Sequence, residues 1–151
     1  MGVLWFDGLL AQVDDAGVYF LPEADIEELL EAAAINRFPC LRANLRDCAG
    51  PGDLLLRVAG ALQFPPPTDL AGLAAALRVL RIPGTPGLVL LLEHSEVLRR
   101  ESTAAFKTSI EVLQGASLEW AREKVPLWCF IALTEAEFDA LEDDSGGELT
   151  R

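Results

Sequence analysis

Two short, uninterrupted apolar segments constrain the fold of this chain more than any other feature. They read GLVLLLE at 87–93 and LWCFIAL at 127–133. A strand with one solvated face alternates apolar and polar residues, whereas a strand covered on both faces of a parallel sheet is continuously apolar. We therefore expect both segments to be buried strands of a parallel sheet.

Segments with helical spacing lie between and before these strands. An amphipathic helix is expected from Pro22, a favourable first helical residue, to about Ala34. Further strands are expected at 18–21 and 38–44, and further helices at 54–62, with Asp53 as N-cap, at 70–81 and at 102–124. Strands that alternate with helices are typical of α/β proteins. We therefore predict an α/β domain, in two or three layers, with a small parallel sheet packed by helices.

The acidic residues are concentrated at the two ends of the chain. Residues 1–36 hold eight acids and no base, and residues 135–151 hold seven acids and one base. The remaining middle holds 24 − 8 − 7 = 9 acids and 12 − 1 = 11 bases. This distribution predicts an acidic N-terminal extension (1–36), a core (37–133) and an acidic C-terminal tail (134–151). In the tail we expect a short helix that opens with the capping-box pair Thr134 and Glu137, followed by disorder.

Charge and composition bear on partners and compartment. The formal net charge of −12 disfavours nucleic acids and anionic membranes as partners. Leu88–Leu92 is far shorter than the roughly 20 apolar residues of a membrane span. Met1–Leu10 has no basic segment and contains Asp7, so it makes a poor signal peptide. Three irregularly spaced cysteines are typical of reduced thiols, and we expect a cytoplasmic protein.

The best candidate for a catalytic residue is His94, which follows a predicted strand and stands beside Glu93 and Glu96. Open parallel sheets bind ligands beyond the carboxyl ends of their strands. General acid–base catalysis also requires a partner group, however, and the sequence has no second histidine and no motif that supports a nucleophile. We therefore expect no catalytic residues.

Metal and cofactor motifs are also missing from the sequence. Cys40, Cys48 and Cys129 lack the spacing of a zinc site, and no glycine-rich phosphate-binding motif occurs. We therefore expect neither a metal nor a cofactor. A non-catalytic α/β domain that binds another protein is the interpretation that remains.

Several phrases of the sequence, in their order and spacing, resemble the barstar family of bacterial ribonuclease inhibitors. The similarity covers roughly residues 17–133. It is carried by GVYFLPEADIEELLEAAA (17–34), FPCLRANLRDCAGPGDLLLRVAGAL (38–62), the Phe64-Pro65 step, Leu77, PGLVLLLEHSEVL (86–98) and FKTSIEVLQGASLEWAREKVPLWCFIAL (106–133), which includes Trp120. The resemblance implies a three-stranded parallel sheet packed by helices, here with an N-terminal strand–helix extension.

The sequence departs from this family at the helix that carries its inhibitory acids. The family pattern reads Pro-x-Tyr-aromatic-Gly-x-Asn-(Leu/Trp)-Asp-Ala-Leu, with a further acid four residues after the first Asp. Asp69 stands where the Asn is expected, Ala71 replaces the first acid, Gly72 the following Ala, and Ala75 the second acid. Gly115 falls where members often carry an additional acid on the long helix. The resemblance therefore implies that the usual contacts with a cationic ribonuclease active site are lost.

The loop before this helix is altered as well, because Pro66, Pro67 and Thr68 replace the aromatic-Gly step. Alanines on an exposed helix face can simply be good helix formers, or they can let a partner approach closely. The residues predicted to contact a protein partner are Pro66, Thr68, Asp69, Ala71, Gly72, Ala75 and Arg78.

Two functional hypotheses follow. The chain is either an inhibitor or immunity-type protein that blocks a ribonuclease or another toxin through a non-standard surface, or a diverged interaction module that has lost ribonuclease inhibition. Both hypotheses predict a protein partner.

Overall fold

Four parallel strands form one sheet at the centre of the protein. The computed structural model describes residues 3–80 and 86–145, and the side chains of 6–80 and 86–140 among them. The strands are β1 (Val18–Pro22), β2 (Cys40–Asn44), β3 (Leu88–Glu93) and β4 (Leu127–Leu133). Their order across the sheet is β1-β4-β3-β2, so β3 and β4 are the central strands.

The helices account for most of the remaining described chain. They are α1 (Val3–Leu10), α2 (Ile26–Ile35), α3 (Pro51–Leu62), α4 (Leu70–Val79), α5 (Glu96–Glu101), α6 (Thr103–Arg122) and α7 (Glu135–Ser145). Two short 3-10 turns, Val13–Asp15 and Glu23–Asp25, flank β1. None of the helices in the described ranges is both long enough and apolar enough to cross a membrane.

The two faces of the sheet have separate hydrophobic clusters. On β4, Cys129 and Ile131 belong to the cluster that includes buried residues of α3, α4 and α6, whereas Trp128 and Phe130 belong to the cluster that includes α1 and α2. Successive strand residues point to opposite faces. Because both faces are covered, every residue of β4 is buried, and the domain has three layers. The prediction from the continuous apolar segments is confirmed.

The sheet has one strand more than the three that the resemblance implied. The strand of the N-terminal extension, β1, pairs in parallel with β4, with Val18 opposite Cys129 and Phe20 opposite Ile131. Phe6 of α1 packs edge-on against Phe130, with ring centroids 5.9 Å apart. The extension therefore completes the sheet and covers one of its faces.

Several predicted helix boundaries were wrong. Pro22 ends β1 and does not begin a helix, because the 3-10 turn intervenes before α2. Helix α3 begins at Pro51 behind Gly50, and Asp53 lies inside it, because proline at a first helical position has no N–H to leave unpaired. Helix α4 ends at Val79, and the end predicted at residue 81 lies outside the described residues.

Two helices were not predicted at all, α1 and the short α5. In the tail, the predicted capping box is confirmed. Thr134 Oγ1 accepts a hydrogen bond of 3.1 Å from the Glu137 amide, and Glu137 Oε1 accepts one of 2.9 Å from the Thr134 amide. The disorder predicted after this helix falls at 146–151, outside the described residues.

Candidate protein-binding surface at helix α4

The loop that leads into α4 is fixed at its first residues. Gln63 ends α3 in the left-handed conformation, with φ of 62°. The Phe64 amide donates a hydrogen bond of 3.1 Å to the Ala59 carbonyl, and the Phe64 ring packs against the first hydrophobic cluster. Three prolines follow, and each fixes its own φ and restricts the residue before it. The loop is therefore stiff, although its prolines have no backbone N–H groups to donate hydrogen bonds.

The start of α4 is fixed by a cap and by a close contact. Asp69 Oδ1 accepts a hydrogen bond of 2.7 Å from the Gly72 amide, as an N-cap carboxylate does. A Cβ atom added at Gly72 would lie 2.9 Å from Pro67 Cβ and 3.2 Å from Asp69 Oδ1. Glycine at this position therefore lets the third proline of the loop pack on the first turn of α4.

The inner face of helix α4 packs against the protein core, and its outer face is exposed to solvent. Leu73 and Leu77 are buried in the first hydrophobic cluster. The Trp120 indole Nε1 of α6 donates a hydrogen bond of 2.8 Å to the Leu77 carbonyl oxygen. Six of the seven residues predicted to contact a partner are exposed, Pro66, Thr68, Asp69, Ala71, Ala75 and Arg78, and Gly72 is half-buried.

A shallow groove separates α4 from α6 and was not predicted. It has a volume of about 240 Å³ and is lined by Ala74, Arg78, Glu111, Val112, Gly115, Ala116 and Glu119. Among the described residues, no atom would lie within 4 Å of a Cβ added at Gly115, so the groove is open above this glycine. The groove depends on the packing of two helices, which residue spacing within one helix does not reveal.

The rim of the groove on α6 is acidic. Glu111 and Glu119 stand one helical turn before and after Gly115. Glu119 lies 3.5 Å from Arg122 Nη1 in an exposed pair, with side-chain exposures of 44% and 77%, so the pair is worth little. Arg78 lines the opposite wall.

Two arginines, one within β2 and one shortly after it, pair with residues at the carboxyl end of β3. Arg42 donates two hydrogen bonds of 2.8 Å to the two carboxylate oxygens of Glu93, and this contact holds the pKa of Glu93 below its ordinary value. Both ring nitrogens of His94 lie 3.4 Å from Arg46 Nη2. His94 thus contacts the guanidinium of Arg46.

The three cysteines are free thiols. Burial raises the pKa of Cys129 to about 12 and that of Cys40 to about 11, and it also raises the pKa of Cys48. Thiols with a raised pKa remain protonated at neutral pH and are poor nucleophiles and metal ligands. No group of three or more potential metal ligands occurs within the described part of the chain.

One protein-family model matches more than half of the chain. The model described as Barstar (barnase inhibitor) matches residues 38–132. The chain belongs to the barstar family. The resemblance seen in the sequence is thereby confirmed, and α4 and the groove lie within the matched residues, whereas β1 and α2 of the extension precede them.

The comparisons with curated proteins and with solved structures bear only on the fold of the chain. No curated protein matches the chain. Among solved structures, a chain of "Structure of Drosophila ORC bound to DNA" is similar, with a TM-score of 0.57 and 10% sequence identity. The match covers 87% of this chain and 36% of that one. The likeness indicates a shared arrangement of strands and helices.

Proposed function

We propose that this barstar-family chain is an inhibitor or immunity-type protein that binds a toxin, in the first place a ribonuclease, and blocks it sterically and electrostatically. It acts in the cytoplasm, without a metal or cofactor and without catalysis of its own. The observation that carries the proposal is the family match at 38–132 together with an α4 whose outer face is exposed.

The contacts that hold α4 in place favour a role for this helix in recognition. The Asp69 cap, the Pro67–Gly72 contact and the hydrogen bond from Trp120 hold the helix at its start and near its end. A surface held rigidly before binding loses little conformational entropy when a partner docks. Inhibition through α4 and its loop is therefore physically reasonable without the usual acids.

The mode of recognition has to differ from that of typical family members. Between barnase and barstar themselves, measured coupling across close charge pairs is about 1.5–7 kcal/mol. Ala71, Ala75 and Gly115 offer no such charges at the positions where the family carries acids. Small neutral residues instead allow a partner surface to approach α4 closely, while the acidic chain as a whole steers a basic partner toward it.

Co-expression tests this proposal. A nuclease toxin encoded next to the gene for this chain is expressed with and without it, and growth is measured. We expect wild-type protein to restore growth, Ala75→Trp on α4 to fail, and Ala34→Trp on the exposed side of α2 to restore it. Absence of both rescue and complex formation would contradict the proposal.

The alternative is an interaction module that kept the scaffold and lost nuclease inhibition. The observation that favours it is the presence of alanine at the exposed positions 71 and 75, where the family resemblance implies acids. In that case Ala75→Trp disrupts a complex with a protein that is not a nuclease, or with a second copy of the chain. Light scattering of the purified protein and its Ala75→Trp variant separates self-association from the first proposal.

A further inference from the structure

We propose that the open edge of β2 binds an extended acidic segment of a partner protein. The segment adds a strand to the sheet and places its carboxylates beside Arg37, Arg46 and Arg57. None of these residues belongs to the surface at α4, so the inference does not depend on whether α4 blocks a toxin.

Strand β2 forms one edge of the sheet and has only β3 as a neighbour. Just beyond β2, the Leu45 amide donates a hydrogen bond of 2.8 Å to the Glu93 carbonyl of β3. Along a strand that pairs on one side only, the backbone groups of alternate residues point toward and away from its neighbour. The amides and carbonyls of Cys40, Arg42 and Asn44 therefore point away from the sheet.

Most of these outward groups are available to an incoming strand. The Asn44 carbonyl accepts a hydrogen bond of 2.7 Å from Arg57 Nη1. Within the described part of the chain, the other outward groups, which are the amides of Cys40, Arg42 and Asn44 and the carbonyls of Cys40 and Arg42, have no hydrogen-bond partner. Main-chain hydrogen bonds along such an edge are the means by which a peptide is captured through strand addition.

Arginines flank this edge. Arg37 precedes β2, Arg46 follows it, and Arg57 reaches its end from α3. All three are exposed, and no carboxylate of the described residues forms an ion pair with any of them. The segment 37–57 holds four bases and two acids, in a chain whose net charge is −12. The edge is therefore basic, and a complementary partner is acidic.

Two of the three arginines are held in position before binding. The Arg46 amide donates a hydrogen bond of 2.9 Å to Asn44 Oδ1, and Arg46 Nη2 lies 3.4 Å from both ring nitrogens of His94. Arg57 is held by its bond to the Asn44 carbonyl. Side chains that are already ordered lose less conformational entropy when a partner docks.

The same charges oppose pairing of β2 with a second copy of itself. Two β2 edges side by side would bring two sets of the same arginines together, and like charges across paired strands are destabilising. Arg42 is bonded to both carboxylate oxygens of Glu93, which partly neutralises it, so we assign recognition to the other three arginines. An acidic strand gains from the charges that repel a second copy.

The test uses a defined acidic peptide, Ac-Thr-Glu-Val-Asp-Val-Glu-Thr-NH2, on the full-length protein. One control peptide replaces its acids by Gln and Asn, and a second keeps the acids but carries N-methyl groups on the three central residues, which block strand addition. Backbone amide shifts and amide hydrogen exchange are followed as each is added.

We expect the acidic peptide to cause saturable shifts and slower exchange at the amides of Cys40, Arg42 and Asn44. The neutral peptide should bind about tenfold more weakly, as the loss of two or three exposed charge pairs would give. The N-methylated peptide should leave the exchange of these amides unchanged, because it cannot pair with the strand.

Variants locate the site. Arg46→Gln with Arg57→Gln should remove the preference for the acidic peptide over the neutral one. Arg122→Gln with Lys124→Gln removes the same charge from exposed positions at and after the end of α6 and should leave that preference intact. Spectra of the free variants establish that both are folded.

Equal binding of the acidic and neutral peptides, protection by the N-methylated peptide, shifts centred elsewhere or no shifts at all would overturn the inference. Shifts of the same amides when the protein alone is diluted would identify a second copy as the occupant and would overturn it as well. None of these outcomes depends on whether the chain rescues growth.

Discussion

The indole of Trp120 is hydrogen bonded to the backbone of Leu77, across 2.8 Å between Nε1 and the carbonyl oxygen. The bond joins the last part of α6 to the end of α4, beneath the exposed face of α4. Trp128, which is also buried, has no hydrogen-bond partner for its Nε1 among the described residues. The two tryptophans thus form a natural pair for measuring what this bond contributes.

Trp120→Phe should destabilise the protein more than Trp128→Phe. Both changes replace a buried indole with the smaller phenyl ring. Only the first leaves the Leu77 carbonyl without its indole donor, a loss worth about 1–3 kcal/mol. Urea unfolding of both variants measures the difference in the free energy of unfolding. Equal losses would mean that the bond contributes nothing beyond ring packing.

The cap at the start of α4 gives a second prediction. Asp69→Ala should lower the free energy of unfolding by about 1 kcal/mol, because the Gly72 amide loses its acceptor. Asp69→Asn keeps an acceptor oxygen at this position and should retain most of the stability. Thermal unfolding followed by circular dichroism compares the two, and similar losses for both would assign the effect to charge and not to capping.

Two glycines in helices should respond in opposite directions to alanine. An added Cβ at Gly72 meets Pro67 Cβ at 2.9 Å, whereas the space at Gly115 is open among the described residues. Gly115→Ala should therefore stabilise the protein by up to about 1 kcal/mol through helix propensity. Gly72→Ala should destabilise it despite the same propensity gain, and urea midpoints of the two variants check the sign of each change.

The strands could be predicted from the sequence because a strand that is buried on both faces is a continuous apolar segment. Every residue of β4 is apolar, and every one is buried. The same signal could not show that β1 joins the sheet, because pairing of Val18 with Cys129 joins segments more than a hundred residues apart. Segment α5 has only six residues and repeats too few turns to show a period.

The candidate site was only partly predictable for a related reason. The exposed positions Ala71 and Ala75 follow from helical spacing once Leu73 and Leu77 are assigned to the core. The groove requires α4 and α6 to lie side by side, which is a tertiary contact. In the sequence, the groove is reflected only in the regular spacing of Glu111, Gly115 and Glu119. The same spacing occurs equally on solvated helices.

Acid should weaken the protein partly through Glu93. The hydrogen bond from Arg42 lowers the pKa of this carboxyl, so its stabilising effect is present above the unfolded value of about 4.3 and is lost as pH falls through the folded value. The pair is partly exposed, which limits the effect to about 1 kcal/mol or less. The free energy of unfolding should therefore fall less steeply between neutral and acidic pH in Arg42→Met than in wild type, and identical slopes would exclude this pair as the cause.

Restoring acids on α4 should create affinity for a barnase-like ribonuclease. Ala71 and Ala75 are exposed and stand one turn apart, and the family resemblance implies acids at these two positions. The double variant Ala71→Asp with Ala75→Asp should inhibit RNA hydrolysis by barnase where the wild type does not, because close charge pairs both speed association and slow release. Ala11→Asp with Ala34→Asp adds the same charge at exposed positions in the N-terminal part of the chain and should not inhibit. Inhibition by both double variants would reflect net charge alone, and inhibition by neither would show that α4 does not present these positions as the family helix does.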